Sequence, residues 1–216
     1  MAHRQLIDPI HLAIDMLMTQ AYKAHLSVRL LAEHAHVEDA ATITRRLLEL
    51  AVQTVYIGEE SESDERLSRA GQYLAHLWEN APDKLKDQVP PDGRSRWEDI
   101  SKTYYQPTEK KKRRWGPTFA QMFEAAGVSD IYEEDYSLLS SVSHGSSEES
   151  LLVYSYPTVR VRSDLHVPVL LSYATKYYLV VTHTWNGLFS AIPESRMTEL
   201  REIAIGLTEK DPDAAA

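Results

Sequence analysis

Residues 40–57 read AATITRRLLELAVQTVYI, and the fold turns on how this stretch is wound. At about 100° per residue, Thr42, Arg45, Glu49, Gln53 and Tyr56 fall within an arc of roughly 80°, with Arg46 at its edge. Ile43, Leu47, Leu48, Leu50, Ala51, Val52, Val55 and Ile57 cover most of the remaining circle. A helix apolar over that much of its girth belongs inside a domain. Its polar stripe must then face a seam between helices, where Arg45, Glu49 and Tyr56 need partners.

Working outward from this helix, Glu38 and Asp39 place acid at its start and Gly58 is a natural end. Upstream, Asp8 and Pro9 are cap and first-turn residues for a helix running to about residue 35. His25, His34 and His36 lie in its second half, where imidazolium suits the helix dipole. His34 and His36 stand two positions apart and point to different faces, so no metal site is expected from them. Downstream, an acidic loop at 58–65 precedes an amphipathic helix over 64–80. Residues 83–93, with Pro90-Pro91 and Asp92-Gly93, read as loop or a single turn. Residues 96–106 read as a short helix bearing Trp97, Ile100, Tyr104 and Tyr105. A basic loop at 107–116 follows. Pro117 opens a helix to 126, closed by Gly127. Ser129 or Asp130 then caps a helix over 131–144. The β-branched and aromatic run LLVYSYPTVRVR near 151–162 reads as an extended loop or small hairpin. Helices from Pro168 to about 188 and from Pro193 onward complete the chain. The fold class is all-α, a single bundle of roughly six or seven helices over 1–210, with 211–216 a disordered tail.

The bulk numbers fit one soluble domain: 216 residues, 43% hydrophobic and 25% charged. There is no cysteine, which removes disulfides, thiolate metal sites and thiol nucleophiles together and suits a reducing cytoplasm. The N-terminal MAHRQLIDP has no apolar core of a secretory signal. The longest apolar run, 167–181, is interrupted by Lys176 and is too short for a bilayer, so no membrane span is expected. A net charge of −9 opposes a broad electrostatic grip on nucleic acid, yet KKKRR at 110–114 is a local patch able to touch phosphate.

The 131–144 segment carries a second polar stripe. Tyr136, Ser140 and His144 follow at i, i+4 and i+8, with Ser143 and Tyr132 beside them, while Ile131, Leu138 and Val142 occupy another arc. A histidine beside hydroxyls and a carboxylate suits acid or base chemistry near neutral pH.

Taken together, Arg45-x-x-x-Glu49 with Tyr56, the run WGPTFAQMFEAAG, and Tyr136-x-x-x-Ser140-x-x-x-His144-Gly145-Ser146 resemble a bacterial helical family known as a domain of unknown function. The likeness spans about 42–146 and implies an α-helical bundle. The bundle is also loosely similar to the HEPN group (higher eukaryotes and prokaryotes nucleotide-binding), many of whose members are metal-independent ribonucleases of toxin, tRNA-cleaving or phage-defence systems. Those enzymes carry an arginine and, with four to six residues between, a histidine on one helix. Here Ser137, Leu138 and Leu139 stand in those places, so the cation would have to come from Arg45 or Arg46 across the seam.

Two readings of the seam stay open at this level. In one, Arg45 and Glu49 form an ion pair while Tyr56, Tyr136, Ser140 and His144 satisfy one another and fix helix register. In the other, the same groups act on a phosphodiester. Arg45 would hold phosphate, His144 would move the proton, Ser140 and Tyr136 would orient it, and Glu49 would position the arginine. Arg46, Tyr56, Ser143, Lys111, Arg113, Arg114 and Trp115 are binding candidates, the last four with Tyr104 and Tyr105 as a stacking and phosphate-contacting edge. The partners these features suit are RNA or a nucleotide, and a second copy of the chain docking as a homodimer on the aromatic last long helix. No metal or cofactor motif is present: HExxH, Asp-x-Asp loops and a glycine elbow are all missing.

Overall fold

Asp8 and Pro9 begin α1 (Pro9–Glu33) in the expected way, with the Asp8 carboxylate accepting from the Ile10 amide at 2.9 Å. The computed structural model describes residues 8–34, 36–60, 62–105, 115–143 and 167–208, without the side chains of 141–143 and 203–208. The 151–162 segment and the basic run 110–114 lie outside those residues. α2 (Val37–Gly58) follows, then α3 (Ser63–Glu79), the single turn α4 (Asp83–Lys86) and α5 (Pro91–Tyr104). Next come α6 (Phe119–Ala125), then α7 (Ser129–Ile131), a π-helical turn (Tyr132–Tyr136) and α8 (Ser137–Ser143) as one continuous rod. α9 (Val167–Phe189) and α10 (Glu194–Thr208) end the described chain. Among the described residues there is no strand, and no helix is long and apolar enough to cross a membrane.

α2 is the enclosed helix. It packs against α1, α3, α6, α8 and α9, and Leu47, Leu48, Leu50, Ala51, Val52 and Ile57 are buried around it. Two threonines on its apolar faces, Thr44 and Thr54, are fully buried and return their hydroxyl protons to the carbonyls of Ala40 and Leu50 at 2.8 and 2.7 Å. Back-bonding of this kind lets a hydroxyl sit in a core without a partner from another helix. α9 presents Leu170, Ala174, Tyr177, Val181 and Thr184 to the interior at alternating steps of four and three, the spacing of a stripe that faces a neighbouring helix. α3 and α5 form a side layer, tied by stacked Trp78 and Trp97 with centroids 5.7 Å apart.

Four local expectations are corrected. The acidic loop is shorter, since α3 starts at Ser63 with Asp64 and Glu65 in its first turn, where carboxylates suit the helix dipole. α5 begins at Pro91 rather than 96, because a proline at the first helical position loses no hydrogen bond. Pro117 lies ahead of α6 rather than in its first turn, and Thr118 is the cap: its hydroxyl accepts from the Gln121 amide while the Gln121 side chain accepts from the Thr118 amide, a capping box. Ser129 is the first residue of α7 rather than its cap. Gly127 does close α6, at φ 70°, with the Val128 amide reaching back to the Phe123 carbonyl at 3.0 Å.

Gly58 has a different role from the one its position suggests. It is the last residue of α2 rather than a left-handed terminator, and a Cβ there would lie 2.3 Å from Thr184 Cγ2 of α9. Its missing side chain lets α2 and α9 approach. Gly58→Ala is therefore expected to lower stability in urea unfolding by about 1–3 kcal/mol, against the usual gain of about 0.5–1 kcal/mol for glycine to alanine in a helix. Adding Thr184→Ser, which deletes the opposing methyl, should recover part of that loss, and a purely additive pair would refute this account.

Candidate functional site

The structure brings Arg45, Glu49 and Tyr136 together between α2 and the π-helical turn. Arg45 Nη2 donates to the Tyr136 hydroxyl at 3.0 Å, and its guanidinium also lies 4.9 Å from the Tyr136 ring centroid. Arg45 Nε stands 3.5 Å from Glu49 Oε1, and the Tyr136 hydroxyl is 3.5 Å from the same oxygen. Arg46 approaches the other carboxylate oxygen, Oε2, at 3.2 Å. One carboxylate, 14% exposed, thus gathers two guanidiniums and a phenol. The spacing explains this. Arg45 and Glu49 are one turn apart on the same face, and Arg46 reaches the carboxylate from three positions away.

The two arginines diverge beyond Glu49. Arg45 faces the seam and Tyr136. Arg46 turns the other way, toward α1, where its Nη2 meets Gln20 Oε1 at 3.4 Å. Gln20 in turn donates from Nε2 to the Tyr73 hydroxyl at 3.1 Å. These groups border a cavity of about 370 Å³ whose wall also includes Gln53, His76, Trp115, Phe119 and Met122. Burial lowers the His76 pKa from its ordinary value. Burial raises the Tyr73 phenol, against the opposing pull of the Gln20 hydrogen bond and Arg46, so that hydroxyl stays neutral. Among the described residues, no three histidine, aspartate or glutamate side chains are grouped to hold a metal ion.

The other sequence candidates are placed as follows. Tyr56 does not join the Arg45 cluster. Its ring lies beneath the Arg69 guanidinium at 3.9 Å, and its carbonyl accepts from Arg69 Nη1 at 2.8 Å. Arg69 is held further by Glu60 and Glu65 at 2.6 and 3.0 Å. This second cluster was missed because Arg69 lies on another helix. Trp115 is buried, edge-on to Tyr73 with centroids 5.1 Å apart, so it is a cavity wall rather than an exposed stacking edge. Tyr104 covers Gly71, where a Cβ would meet its ring at 2.4 Å, which ties it to packing between α3 and α5. Ser140 is half-buried on α8, one turn beyond Tyr136. Ser143 ends α8, and its side chain, with His144, Lys111, Arg113 and Arg114, lies outside the described residues. Gln20, Tyr73 and His76 were missed because they reach the cavity from α1 and α3, which the stripe of α2 does not foretell.

The π-helical turn decides where two adjacent side chains go. Tyr132 and Tyr136 stack at 5.0 Å, and Tyr136 reaches α2, while its neighbour Asp135 is buried toward α9. There Asp135 accepts from the Tyr177 hydroxyl at 2.6 Å and pairs with Lys176 at 3.3 Å. Turns of this kind often mark functional sites. Burial first, then the hydrogen bond to Asp135 and its charge, hold the Tyr177 phenol far above its ordinary pKa of 10.0.

Two outcomes follow. Tyr136→Phe leaves Arg45 and Glu49 without their shared hydroxyl and should cost about 1–2 kcal/mol in urea unfolding. An unchanged midpoint would show that the hydroxyl contributes nothing. As pH rises past about 10 the unfolded chain loses the Tyr177 proton while the folded chain keeps it, so unfolding releases a proton and stability falls. Tyr177→Phe should flatten the fall between pH 9 and 11, with a residual slope from Tyr56, Tyr73, Tyr173 and Tyr178, whose pKa values are raised in the same direction.

Comparison with known proteins bears on this site. No curated protein and no solved structure matches the chain. Residues 11–154 of the 216 match the model of a family described as a family of unknown function (DUF5677), a span that takes in the seam and the cavity. By that match the chain belongs to this family of unknown function.

Proposed function

We propose that the chain is a nucleic-acid-associated protein that takes RNA or a nucleotide at the Arg45–Glu49–Tyr136 seam and the cavity beside it. The observation that carries this reading is Arg46. Its side chain is 46% exposed, it borders the cavity, and Glu49 and Gln20 engage two of its terminal nitrogens. A guanidinium has five N–H donors, so enough remain for a phosphate oxygen. The walls of the cavity combine aromatic and hydrogen-bonding groups, as ligand pockets do. A net charge of −9 favours a small or terminal contact over a long electrostatic footprint.

In the fuller form of this reading the site cleaves RNA without a metal. The 2′-hydroxyl attacks the adjacent phosphorus, the bond to the 5′ oxygen breaks, and the products are a 2′,3′-cyclic phosphate and a 5′-hydroxyl. A base accepts the 2′ proton and an acid returns one to the leaving oxygen. Arg45 and Arg46 supply positive charge, Glu49 holds both, Tyr136 and Ser140 orient, and His144, next in sequence after α8, is the proton carrier. The loose likeness to the HEPN group supports this by analogy alone, with the arginine moved from the histidine's helix to α2.

The test is a short single-stranded RNA of mixed sequence, followed by fluorescence anisotropy and by gel in chelator-treated buffer. Binding is expected, with Arg46→Ala weakening it about ten- to a hundredfold, and cleavage by wild type is expected to fall about a hundredfold or more in His144→Ala. Wild type that neither binds nor cuts, while Arg45→Ala and Tyr136→Phe still lower stability, would leave the seam as a register-fixing network.

A further inference from the structure

A second cavity, of about 470 Å³, opens on another face of α2. Among the described residues it shares no wall with the first, and its size is that of a small-molecule site. Its lining is mostly apolar: α2 gives Leu48, Val52 and Val55, α9 gives Leu179 and Val180, and α7 gives Ile131. Val55, Ile131, Leu179 and Val180 keep part of their surface in water, and a bound apolar group would cover it. The polar groups stand at the ends. At one end Lys176 and Tyr177 are both held by Asp135, at 3.3 and 2.6 Å. At the other, Glu59 accepts from the Thr184 hydroxyl at 3.1 Å, and Arg201 Nη2 donates to His183 Nδ1 at 2.7 Å. The close approach of Gly58 to Thr184 brings the end of α2 level with this part of α9. Charges of both signs meet there, so that end does not choose the sign of a head group. The aliphatic side chains between the two ends offer no hydrogen bond, and a molecule with polar groups along its length would leave them unpaired.

We propose that this cavity binds the unbranched aliphatic chain of a single-chain amphiphile, a fatty acid or fatty alcohol, with the tail against α2 and α9 and the head at the end formed by Glu59, His183 and Arg201. From Leu48 to Glu59, the residue that follows α2, is eleven residues and about 16 Å, which an extended chain of about twelve carbons spans. Such a chain matches the arrangement in kind. Its apolar length meets the aliphatic lining, and its one polar end meets the mixed charges, where Glu59 and His183 are exposed to solvent. Covering one methylene is worth about fourfold in affinity, so chain length rather than head charge sets how tightly the molecule is held. The inference stands apart from the nucleotide reading, which concerns the first cavity.

Calorimetric titration of the full chain with hexanoate, octanoate, decanoate, dodecanoate and tetradecanoate, and with decan-1-ol, tests it. One saturable site per chain is expected, with affinity rising up to about fourfold for each added methylene and levelling near about twelve carbons. Decan-1-ol should bind within about tenfold of decanoate, since the tail carries the affinity. Val180→Glu sets a carboxylate in the lining at a position already exposed, so the fold tolerates it, and should weaken dodecanoate about tenfold or more. Ala126→Leu, which fills part of the same cavity, should weaken dodecanoate as well and serves if the glutamate variant does not fold. Affinity that ignores chain length, decanoate bound while decan-1-ol is not, or dodecanoate affinity unchanged in a folded variant overturns the proposal. So does uptake of many molecules per chain without saturation, or no binding of any of the six.

Discussion

A single carboxylate gathers the polar groups at the centre of this bundle. Glu49 sits on the most enclosed helix, on the polar edge it shares with Arg45 and Arg46. Two arginines adjacent in sequence would repel each other and resist desolvation. With Glu49 between them, Arg45 can turn inward to the phenol of the π-helical turn while Arg46 turns outward to α1. Buried ion pairs seldom add much stability over apolar packing of the same volume, but losing one partner of such a pair is strongly destabilising. The arrangement ties α2 to the π-helical turn through Arg45 and Tyr136, and to α1 through Arg46 and Gln20.

The architecture was legible where hydrophobic period alone decides it. The stripe on residues 40–57 identified the central helix, and Asp8-Pro9 and Gly127 identified ends whose cap chemistry is local. Local signals that compete were read less well. Pro90-Pro91-Asp92-Gly93 has the composition of a turn and also that of a helix start, and packing of α5 on α3 decides for the helix. Gly58 satisfied a rule of helix termination, yet its role is the closeness of Thr184 some hundred and twenty residues away in sequence, a contact that no local pattern encodes.

The site was legible along α2 and the turn at Tyr136, and not elsewhere. A helical wheel shows that Arg45 and Glu49 share a face, but not which way each guanidinium turns, because that depends on Gln20 and Tyr73 from other helices. Tyr56 shows the same limit in reverse. It shares the polar stripe with Arg45, yet Arg69 captures it through its ring and its carbonyl, so membership of a stripe did not imply membership of a cluster. The π-helical turn was invisible to a reading at 3.6 residues per turn, although it decides that Asp135 and Tyr136 serve different helices.

That turn links the two halves of the interior. Asp135 is anchored to Tyr177 and Lys176 on α9, and the next residue carries the hydroxyl that Arg45 uses on α2. A shift of α9 along its axis would act on Asp135 first and would be felt one residue later at the seam. An α-helical turn in the same place would change the angle between these two side chains and could not serve both contacts with the same backbone. The wider turn is less favourable in itself, and two hydrogen bonds to two different helices are what hold it in place.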